Sequence, residues 1–401
     1  MQLKSGLPFY LIRHGLMYDH PKLETNIKTD VLVLGGGISG ALTAHYLIEA
    51  GIDCTVVDAR SIGLGSTCAS SSLLQYEIDV PLHRLIEMKG KAVAERAYHL
   101  CKESVHKLFQ LSKKIGFEDT QLRQSLYYAA HKKDVKMLEK EFKARKEAGL
   151  DVKFLDGKEL KKWVGIDAPA ALLSKDGGQT NAYLLTHALH QEGIKKGMRV
   201  FDRTLATSIK HEKYGIRIKT ENGFFISANK IVYATGYEAS KYIDRNIGKI
   251  HSTYAIVSEV ISGDKPFWKD EVLIWNTADP YLYLRATSDR RIMIGGRDEN
   301  FYAPAKRDAL INKKKKQLTD DFKKLFPSIE FKPEFSWAGT FGTSVDGLPF
   351  IGKHPGMPHS YFALGFGGNG IMFSHVAAEL IRDAILGKKN RDMEMFGFER
   401  M

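Results

Sequence analysis

The sequence is poor in cysteine and has no long apolar run, and these absences exclude several classes of protein. Its 401 residues include only Cys54, Cys68 and Cys101, with no CxxC pair. This argues against a disulfide framework or a cysteine zinc site and favours a reducing cytoplasm. No apolar stretch reaches the length of a membrane-spanning helix. The first 30 residues are broken by prolines and charges, unlike a secretory signal. No histidine or carboxylate spacing is typical of a metal site.

Charge is plentiful but mixed in sign. There are 59 Lys and Arg against 47 Asp and Glu, a formal net charge of +12. A basic surface can attract nucleic acid, an anionic membrane or an acidic substrate. However, acids are interspersed with the bases in the helical segments 132–146 and 312–324. This pattern indicates solvated helix faces, so we do not expect a nucleic-acid partner.

A compact strand–helix–strand unit is predicted near the start of the chain. Asp30–Gly35 is a short, Val- and Leu-rich run typical of a buried parallel strand. A helical pattern covers Ala41–Ala50 and ends at Gly51, and a second strand covers Ile52–Val57.

The turn between the first strand and the helix carries a GxGxxG motif at Gly35, Gly37 and Gly40. The first glycine permits a sharp turn, the second lets a pyrophosphate approach the backbone, and the third lets the helix pack closely on the strand. Together with Ser39 and the N–H groups that begin the helix, they predict a dinucleotide pyrophosphate site.

The residues after the second strand favour FAD over NAD. Asp58 can accept the hydroxyls of an adenosine ribose, with Ala59 and Arg60 beside it. The small residues that follow would let an extended cofactor pass close to the backbone, with Ser66 and Thr67 donating to phosphate. The alternative is an ordinary serine-rich loop.

A second GxGxxG pattern covers residues 365–370, between a predicted strand and the last helix. No second strand with a terminal acid follows it, so we do not interpret it as a second nucleotide site. Instead, the N–H groups around Gly367, Asn369, Gly370 and Ile371 are placed to face a flavin ring and to stabilise negative charge on it. Gly236, in a tight turn after another buried strand, is a further candidate for cofactor contact.

The rest of the chain mixes helices and strands. A charged helical block covers residues 81–148, with predicted helices Val80–Lys89, Val93–Ile115 and Lys132–Ala148 around a strand at Gln124–Ala130. Further predicted elements are a helix at Thr186–Lys196, strands at Ile216–Thr220, Phe224–Ser227 and Ile231–Ala234, a hairpin of Tyr281–Arg285 with Arg291–Gly295, and helices at Asn312–Phe326 and Ile371–Leu386.

The order of these motifs resembles the D-amino-acid oxidase, glycine oxidase and sarcosine oxidase family of FAD-dependent amine oxidoreductases. The resemblance covers residues 28–390 and is carried by these segments: VLVLGGGISG, ANKIVYATGYE, YLYLRATSDRRIMIGGRDE, WAGTFGTSVDGLPFIGKHP and YFALGFGGNGIMF. It implies an enzyme that oxidises a C–N bond by hydride transfer to flavin N5 and yields an imine that water hydrolyses. A small-molecule amine would be its substrate.

The resemblance also implies an α/β fold with two domains. A Rossmann-like FAD-binding domain would be built from several chain segments, and an α+β substrate domain would have an antiparallel sheet. We assign 29–80, 175–249 and 336–401 to the first domain and 81–174 and 250–335 to the second. Residues 1–28 form an N-terminal extension without an assigned role.

On the substrate side the sequence departs from the family. Where glycine oxidase-like members carry two arginines that clamp a substrate carboxylate, this chain has Phe341 and Gly368. Phe341 suggests an apolar wall, suited to an amine without a carboxylate near the reacting carbon. Tyr281, Tyr283 and Arg285 alternate onto one face of a strand. Arg285 either supplies a substitute charge or caps a surface strand pair.

The positions at which relatives join flavin covalently carry no nucleophile here. The cysteine of sarcosine oxidase-like relatives corresponds to about Gly339, and no histidine lies in the loop after Thr67. We therefore expect non-covalent FAD. The oxygen-activating lysine corresponds to Met293, which favours a quinone or another carrier over O2 as acceptor, although oxidase and dehydrogenase both stay open.

Two rival functions remain. The first keeps FAD but oxidises a 2-hydroxy acid or a modified tRNA base. The second is a non-catalytic FAD-binding redox or assembly protein. The oligomeric state cannot be derived from the sequence.

Overall fold

The computed structural model describes residues 1–243, 248–365 and 367–400. The strands in these ranges are β1 Lys4–Gly6, β2 Ile27–Leu34, β3 Cys54–Val57, β4 Leu73–Gln75, β5 Gln121–Leu122, β6 Ser125–Tyr128, β7 Val152–Asp156, β8 Ala170–Ser174, β9 Gly177–Gln179, β10 Arg199–Phe201, β11 Ala206–Glu212, β12 Gly215–Thr220, β13 Phe225–Tyr233, β14 Lys249–Ser258, β15 Leu273–Asn276, β16 Leu282–Ala286, β17 Ile292–Glu299, β18 Pro333–Thr343, β19 Phe350–His354 and β20 Met357–Leu364. The α-helices are α1 Phe9–His14, α2 Ile38–Glu49, α3 Leu82–Lys89, α4 Lys91–Lys114, α5 Val135–Glu147, α6 Gly157–Val164, α7 Ala182–Lys195, α8 Pro304–Ala309, α9 Ile311–Leu325 and α10 Gly370–Ile385.

An eight-stranded sheet contains the predicted strand–helix–strand unit. Its strands follow the order β10-β3-β2-β13-β12-β11, with β20 beside β13 and β19 beside β20. β10, β3, β2, β13 and β20 run parallel to one another, whereas β11, β12 and β19 are antiparallel additions. The carboxyl ends of β2 and β13 therefore lie side by side, where ligands bind in open parallel sheets.

The prediction of two separate strands in the region of β13 was wrong. We expected separate strands at Phe224–Ser227 and Ile231–Ala234, but Phe225–Tyr233 is continuous. One edge of β13 pairs with β2 over most of its length. The other edge pairs first with β12 and then with β20, and this change of partner breaks the sequence pattern.

A nine-stranded, mostly antiparallel sheet faces the carboxyl ends of these strands. Its order is β1-β18-β14-β17-β16-β15-β6-β8-β7, and β16 with β17 forms the predicted hairpin. The assigned boundary before residue 336 falls inside β18, which pairs with β14 from Lys249 to Ser258. Residues 333–335 and 336–343 therefore belong to one strand, and our division into domains remains a proposal.

Each large sheet packs helices against an apolar face. Val33, Leu42 and Val376 belong to the core between the eight-stranded sheet and helices that include α2 and α10. Tyr254 and Phe322 belong to the core between the nine-stranded sheet and α9. Because side chains alternate along a strand, the neighbour of Tyr254, Thr253, faces the opposite side and lines a cavity.

The N-terminal extension joins the nine-stranded sheet. β1 pairs with β18, and α1 buries Phe9 and Tyr10 in a small apolar cluster. Among the described helices, none combines the length and apolar character needed to cross a bilayer.

Candidate active site

A cavity of ≈ 510 Å³ lies between the carboxyl ends of β2 and β13 and one face of the nine-stranded sheet. It brings together most of the residues predicted from the sequence. Those lining it on the cofactor side are Gly35, Gly37, Ser39, Asp58, Ala59, Arg60, Ser66, Thr67, Gly236, Gly367, Gly370 and Ile371. On the substrate side, Tyr281, Tyr283 and Phe341 line it.

The first glycine motif has no room for side chains. A Cβ at Gly37 would lie 2.8 Å from Oγ1 of Thr67, which accepts the N–H of Ile38 over 3.0 Å. Gly35 has a φ of +112°, a conformation that favours glycine. Gly40 does not line the cavity. A Cβ there would overlap the carbonyl oxygen of Gly35, so its role is the close packing of α2 on β2.

Asp58 closes the turn from the end of β3. Its Oδ2 accepts the N–H of Gly36 over 2.7 Å, and its Oδ1 accepts the N–H of Arg60 over 2.8 Å. Burial raises the pKa of Asp58, whereas these two N–H donors oppose the shift. The guanidinium of Arg60 pairs with Glu238 over 2.8 Å, so charged groups concentrate at this end of the cavity.

The second glycine motif approaches the cavity at the start of α10. Gly365, Gly367, Gly368, Gly370 and Ile371 line it. Phe366, which belongs to the same motif, lies outside the described residues. The side chain of Asn369, in contrast, turns away: its Nδ2 donates to the carbonyl of Gln75 over 2.7 Å and fastens the loop to β4.

Aromatic side chains form the wall that the nine-stranded sheet contributes. The rings of Tyr281 and Tyr283 lie 6.0 Å apart between centroids, and the Tyr283 ring covers Gly295, where a Cβ would collide with it. Burial raises the pKa of Tyr283 to about 12, so the phenol stays protonated at neutral pH. Phe341 completes this wall from β18.

Arg285 shares a strand with these tyrosines but does not line this cavity. Its Nε donates to the carbonyl of Ser71 over 2.8 Å, and its Nη2 contacts the hydroxyl of Tyr10. The side chain is only 3% exposed. These contacts tie α1 and the loop before β4 to the sheet, and Arg285 is neither in the cavity nor on the surface.

The cysteines and Met293 also lie outside the cavity lining. Cys54, Cys68 and Cys101 are buried, and burial raises the pKa of Cys68 to about 11. Met293 packs beside Cys68, Trp337 and Phe9 in an apolar cluster. The three cysteines and Met293 therefore present no reactive or charged group to the cavity.

The turn after β13 leaves room and a hydrogen-bonding group for a bound cofactor. A Cβ at Gly236 would meet no atom within 4 Å, so this turn borders open space. The adjacent Thr235 has a buried Oγ1 without a hydrogen-bond partner in the described part of the chain. A buried polar atom of this kind requires a partner, and a bound cofactor can supply one.

The site combines a closely packed glycine turn in a parallel α/β sheet with an acid at the end of the next strand. An antiparallel sheet covers it. This combination is typical of a dinucleotide-dependent oxidoreductase. The FAD dependent oxidoreductase family model matches residues 30–384, and the chain belongs to this family. The predicted fold class, cofactor and family are thereby confirmed.

Individual relatives are distant but cover nearly the whole chain. Gamma-glutamylputrescine oxidoreductase of Escherichia coli is 23% identical, covering 92% of this chain and 86% of its own. Glycine oxidase of Bacillus subtilis is 23% identical, with 90% and 95% covered. The crystal structure of L-proline dehydrogenase from P. horikoshii superposes with a TM-score of 0.79 at 22% identity, covering 94% and 99%.

Two acids near the aromatic wall, Asp79 and Asp298, were not predicted from the sequence. Oδ2 of Asp79 accepts the N–H of Gly368 over 2.9 Å, and Asp298 lines the cavity. Asp298 lies two residues after Gly296 and three residues beyond the predicted hairpin strand Arg291–Gly295, because β17 extends to Glu299. Nothing in the sequence places Asp79 beside Gly368, which is 289 residues away.

Proposed function

We propose that this FAD-dependent oxidoreductase oxidises a C–N bond of an amine that carries no carboxylate next to the reacting carbon. The observation that carries the proposal is the charge of the aromatic end of the cavity. No lysine or arginine among the described lining residues lies there, since Arg60 and Lys241 line the opposite end near Glu238. A carboxylate in a largely dry pocket would lack its charge partner.

The names of the relatives support an amino compound as substrate. Gamma-glutamylputrescine oxidoreductase and glycine oxidase both act on a compound with an amino group. Phe341 favours an amine such as the one named in gamma-glutamylputrescine oxidoreductase over glycine. It offers apolar contact at the position where the glycine oxidase-like pattern has an arginine.

When bound, FAD supplies at its N5 atom the acceptor for a hydride from the carbon next to nitrogen. Gly37, Ser39 and Thr67 would hold its pyrophosphate, and Asp58 the adenosine ribose. Tyr281, Tyr283 and Phe341 exclude water and orient the carbon chain of the amine. A neutral amine that loses a hydride from this carbon becomes a protonated imine, which then reacts with water to give a carbonyl compound and the released ammonium product, so the proton stays on nitrogen. No protein base is needed if the amine enters neutral.

We further propose that a quinone or another carrier takes up the electrons. Met293 is buried among apolar side chains and provides no positive charge that would favour reduction of O2. Anaerobically reduced protein mixed separately with oxygenated buffer and with a soluble quinone tests this point. Faster reoxidation by oxygen would contradict it.

Anaerobic absorption spectroscopy of the purified holoprotein tests the main proposal. Primary and secondary amines should bleach the visible flavin band, whereas 2-hydroxy acids and tRNA should not. Bleaching by a 2-hydroxy acid alone would favour that rival, and salt-sensitive tRNA binding with bleaching would favour a modified base. If none of these compounds bleaches the flavin, the non-catalytic rival is favoured.

A further inference from the structure

Asp298 places a carboxylate in the cavity wall without a hydrogen-bond partner for one of its oxygens. The residue lies near the end of β17, and its side chain lines the cavity. Its Oδ1 is buried, and no described residue donates to it. A buried carboxylate oxygen is costly unless it is paired, so this atom requires a donor that the described chain does not supply.

The surrounding charges leave this end of the cavity negative. Asp79 and Asp279 add negative charge near Asp298, and Thr253 supplies a hydroxyl from β14. Lys314 is the nearby cation, but its Nζ donates to the carbonyl of Arg297 over 2.7 Å and to Glu299 over 2.6 Å. Its hydrogen bonds are therefore directed at β17 and Glu299 rather than into the cavity.

The same wall contains two aromatic side chains. Tyr281 and Tyr283 line the cavity together with Asp298, and their hydroxyls remain neutral because burial raises both pKa values. Aromatic faces attract ammonium groups, most strongly where water is excluded. A carboxylate and two aromatic rings around one space form a binding site for an organic cation.

We propose that Asp298 binds a second, non-reacting ammonium group of the substrate, so that the substrate is a diamine or polyamine. This inference rests on the proposed amine oxidation. The reacting nitrogen needs its lone pair to form the C=N bond, and a carboxylate would hold that nitrogen in its protonated form. The charged nitrogen at Asp298 is therefore a different one, separated from the reacting nitrogen by the carbon chain that the aromatic wall contacts.

Two ligand pairs test the proposal on the holoprotein. Anaerobic flavin reduction compares 1,4-diaminobutane with 1-aminobutane, which has the same carbon chain and one nitrogen fewer. Calorimetry with butyltrimethylammonium, which has no nitrogen lone pair to support oxidation, measures cation binding without chemistry. We expect the wild-type protein to bind the diamine about tenfold or more tightly than the monoamine, as for a hydrogen bond to a charged group.

Asp298→Asn is the test variant and Glu299→Gln is its matched control. Glu299 is the next residue along the chain, but it pairs with Lys314 and does not line the cavity. Asp298→Asn should reduce the preference for the diamine to within about threefold, because it removes a charged hydrogen-bond acceptor. It should also weaken binding of butyltrimethylammonium, which has no N–H to donate, by about tenfold through the loss of charge attraction alone. Glu299→Gln should keep both. Flavin content and the visible spectrum show whether each variant folds. If Asp298→Asn does not fold, the comparison of the two amines on the wild-type protein still tests the proposal.

The outcomes separate this inference from the proposed function. Reduction of the flavin by both amines with equal affinity overturns the inference and leaves amine oxidation standing. Persistence of the diamine preference in folded Asp298→Asn also overturns it. Asp298-dependent binding of butyltrimethylammonium without reduction by any amine supports the cation site and contradicts the proposed function.

Discussion

The carboxylate of Asp79 accepts the backbone N–H of Gly368, with 2.9 Å between Oδ2 and the nitrogen. This contact places a carboxyl group just ahead of α10, at the glycine motif that lines the cavity. Side chains at Gly367 or Gly368 would collide with Asp79, so the two glycines and the acid form one packed unit. The N–H of Gly367, which we expected to face the cofactor, is also occupied, because it donates to the carbonyl of Gly342 over 2.7 Å. The dipole of α10 therefore acts together with a nearby carboxyl group.

Asp79→Asn should raise the midpoint potential of the bound flavin. A carboxylate near the ring disfavours added negative charge, and removing it stabilises the reduced cofactor. Burial raises the pKa of Asp79, so the potential should be measured as a function of pH, and the difference between Asp79→Asn and the wild-type protein should grow as the pH rises. We expect a rise of about 30 mV, which corresponds to about 1.4 kcal/mol for two electrons.

Spectroelectrochemical titration measures this potential. Asp151→Asn, which alters an exposed carboxylate outside the cavity, is the control and should leave the potential unchanged. An unchanged or lower potential in Asp79→Asn would contradict the placement of the flavin ring beside this motif.

Gly37→Ala should weaken FAD binding. The added methyl would lie 2.8 Å from Oγ1 of Thr67, so the turn or Thr67 must shift, and the acceptor for the N–H of Ile38 shifts with it. We expect a loss of affinity of at least about tenfold, measured by fluorescence titration of apoprotein with FAD. Gly356→Ala is the control because its methyl would meet only ordinary contacts of 3.6 Å and more. Equal affinities in the two variants would exclude a pyrophosphate at this turn.

Cation affinity should rise with pH across the titration of Asp298. Burial raises its pKa to about 6, and Asp79 and Asp279 contribute to this rise, while Thr253 and Lys314 oppose it. The carboxylate is neutral below this pH and charged above it. The dissociation constant of butyltrimethylammonium, which does not titrate, should fall about tenfold in total as the pH rises through about 6 and level off above it. Asp298→Asn should abolish the slope, and a flat wild-type profile would show that Asp298 does not bind the cation.

Arg145→Met should destabilise the fold. Arg145 and Glu141 are both fully buried, with 2.7 Å between Nε and Oε1, and Glu141 also accepts the N–H groups of Leu82 and His83. Removing the guanidinium leaves the carboxylate of Glu141 buried without its charge partner. This lowers the free energy of unfolding by about 3–5 kcal/mol. Lys143→Met, on the exposed face of the same helix, is the control for thermal or denaturant unfolding.

This pair also predicts acid sensitivity. Burial alone would raise the pKa of Glu141, but Arg145 and His83 lower it to about 2, below the ordinary value of 4.5. The carboxylate therefore stabilises the fold above pH 4.5, and this contribution is lost as the pH falls towards 2. Arg145→Met should reduce this part of the pH dependence. An unchanged acid unfolding profile would contradict the pairing.

The sequence predicts the cofactor side well because local spacing determines it. Gly35, Gly37 and Asp58 lie within one strand–helix–strand unit, so a short segment predicts their common position. The hairpin of β16 and β17 also follows from local alternation, and it brings Tyr281 and Tyr283 to the cavity.

The substrate side is harder to predict because contacts between distant segments determine it. Arg285 alternates with the tyrosines, yet it turns to Ser71 and Tyr10, which no local pattern indicates. Asn369 similarly fastens its loop to Gln75. The continuity of β13 depends on the change of its neighbour from β12 to β20, a tertiary feature.

A crystal structure of the FAD-loaded protein tests the placement of the cofactor and of the substrate side most directly. We predict density for the pyrophosphate at the N–H groups of Gly37 and Ser39, with the flavin ring beside Gly367 and the Tyr281–Tyr283 wall. A pyrophosphate at the first motif with its ring directed away from that wall would contradict the assignment of the substrate side, and cofactor density outside the cavity would contradict the whole account.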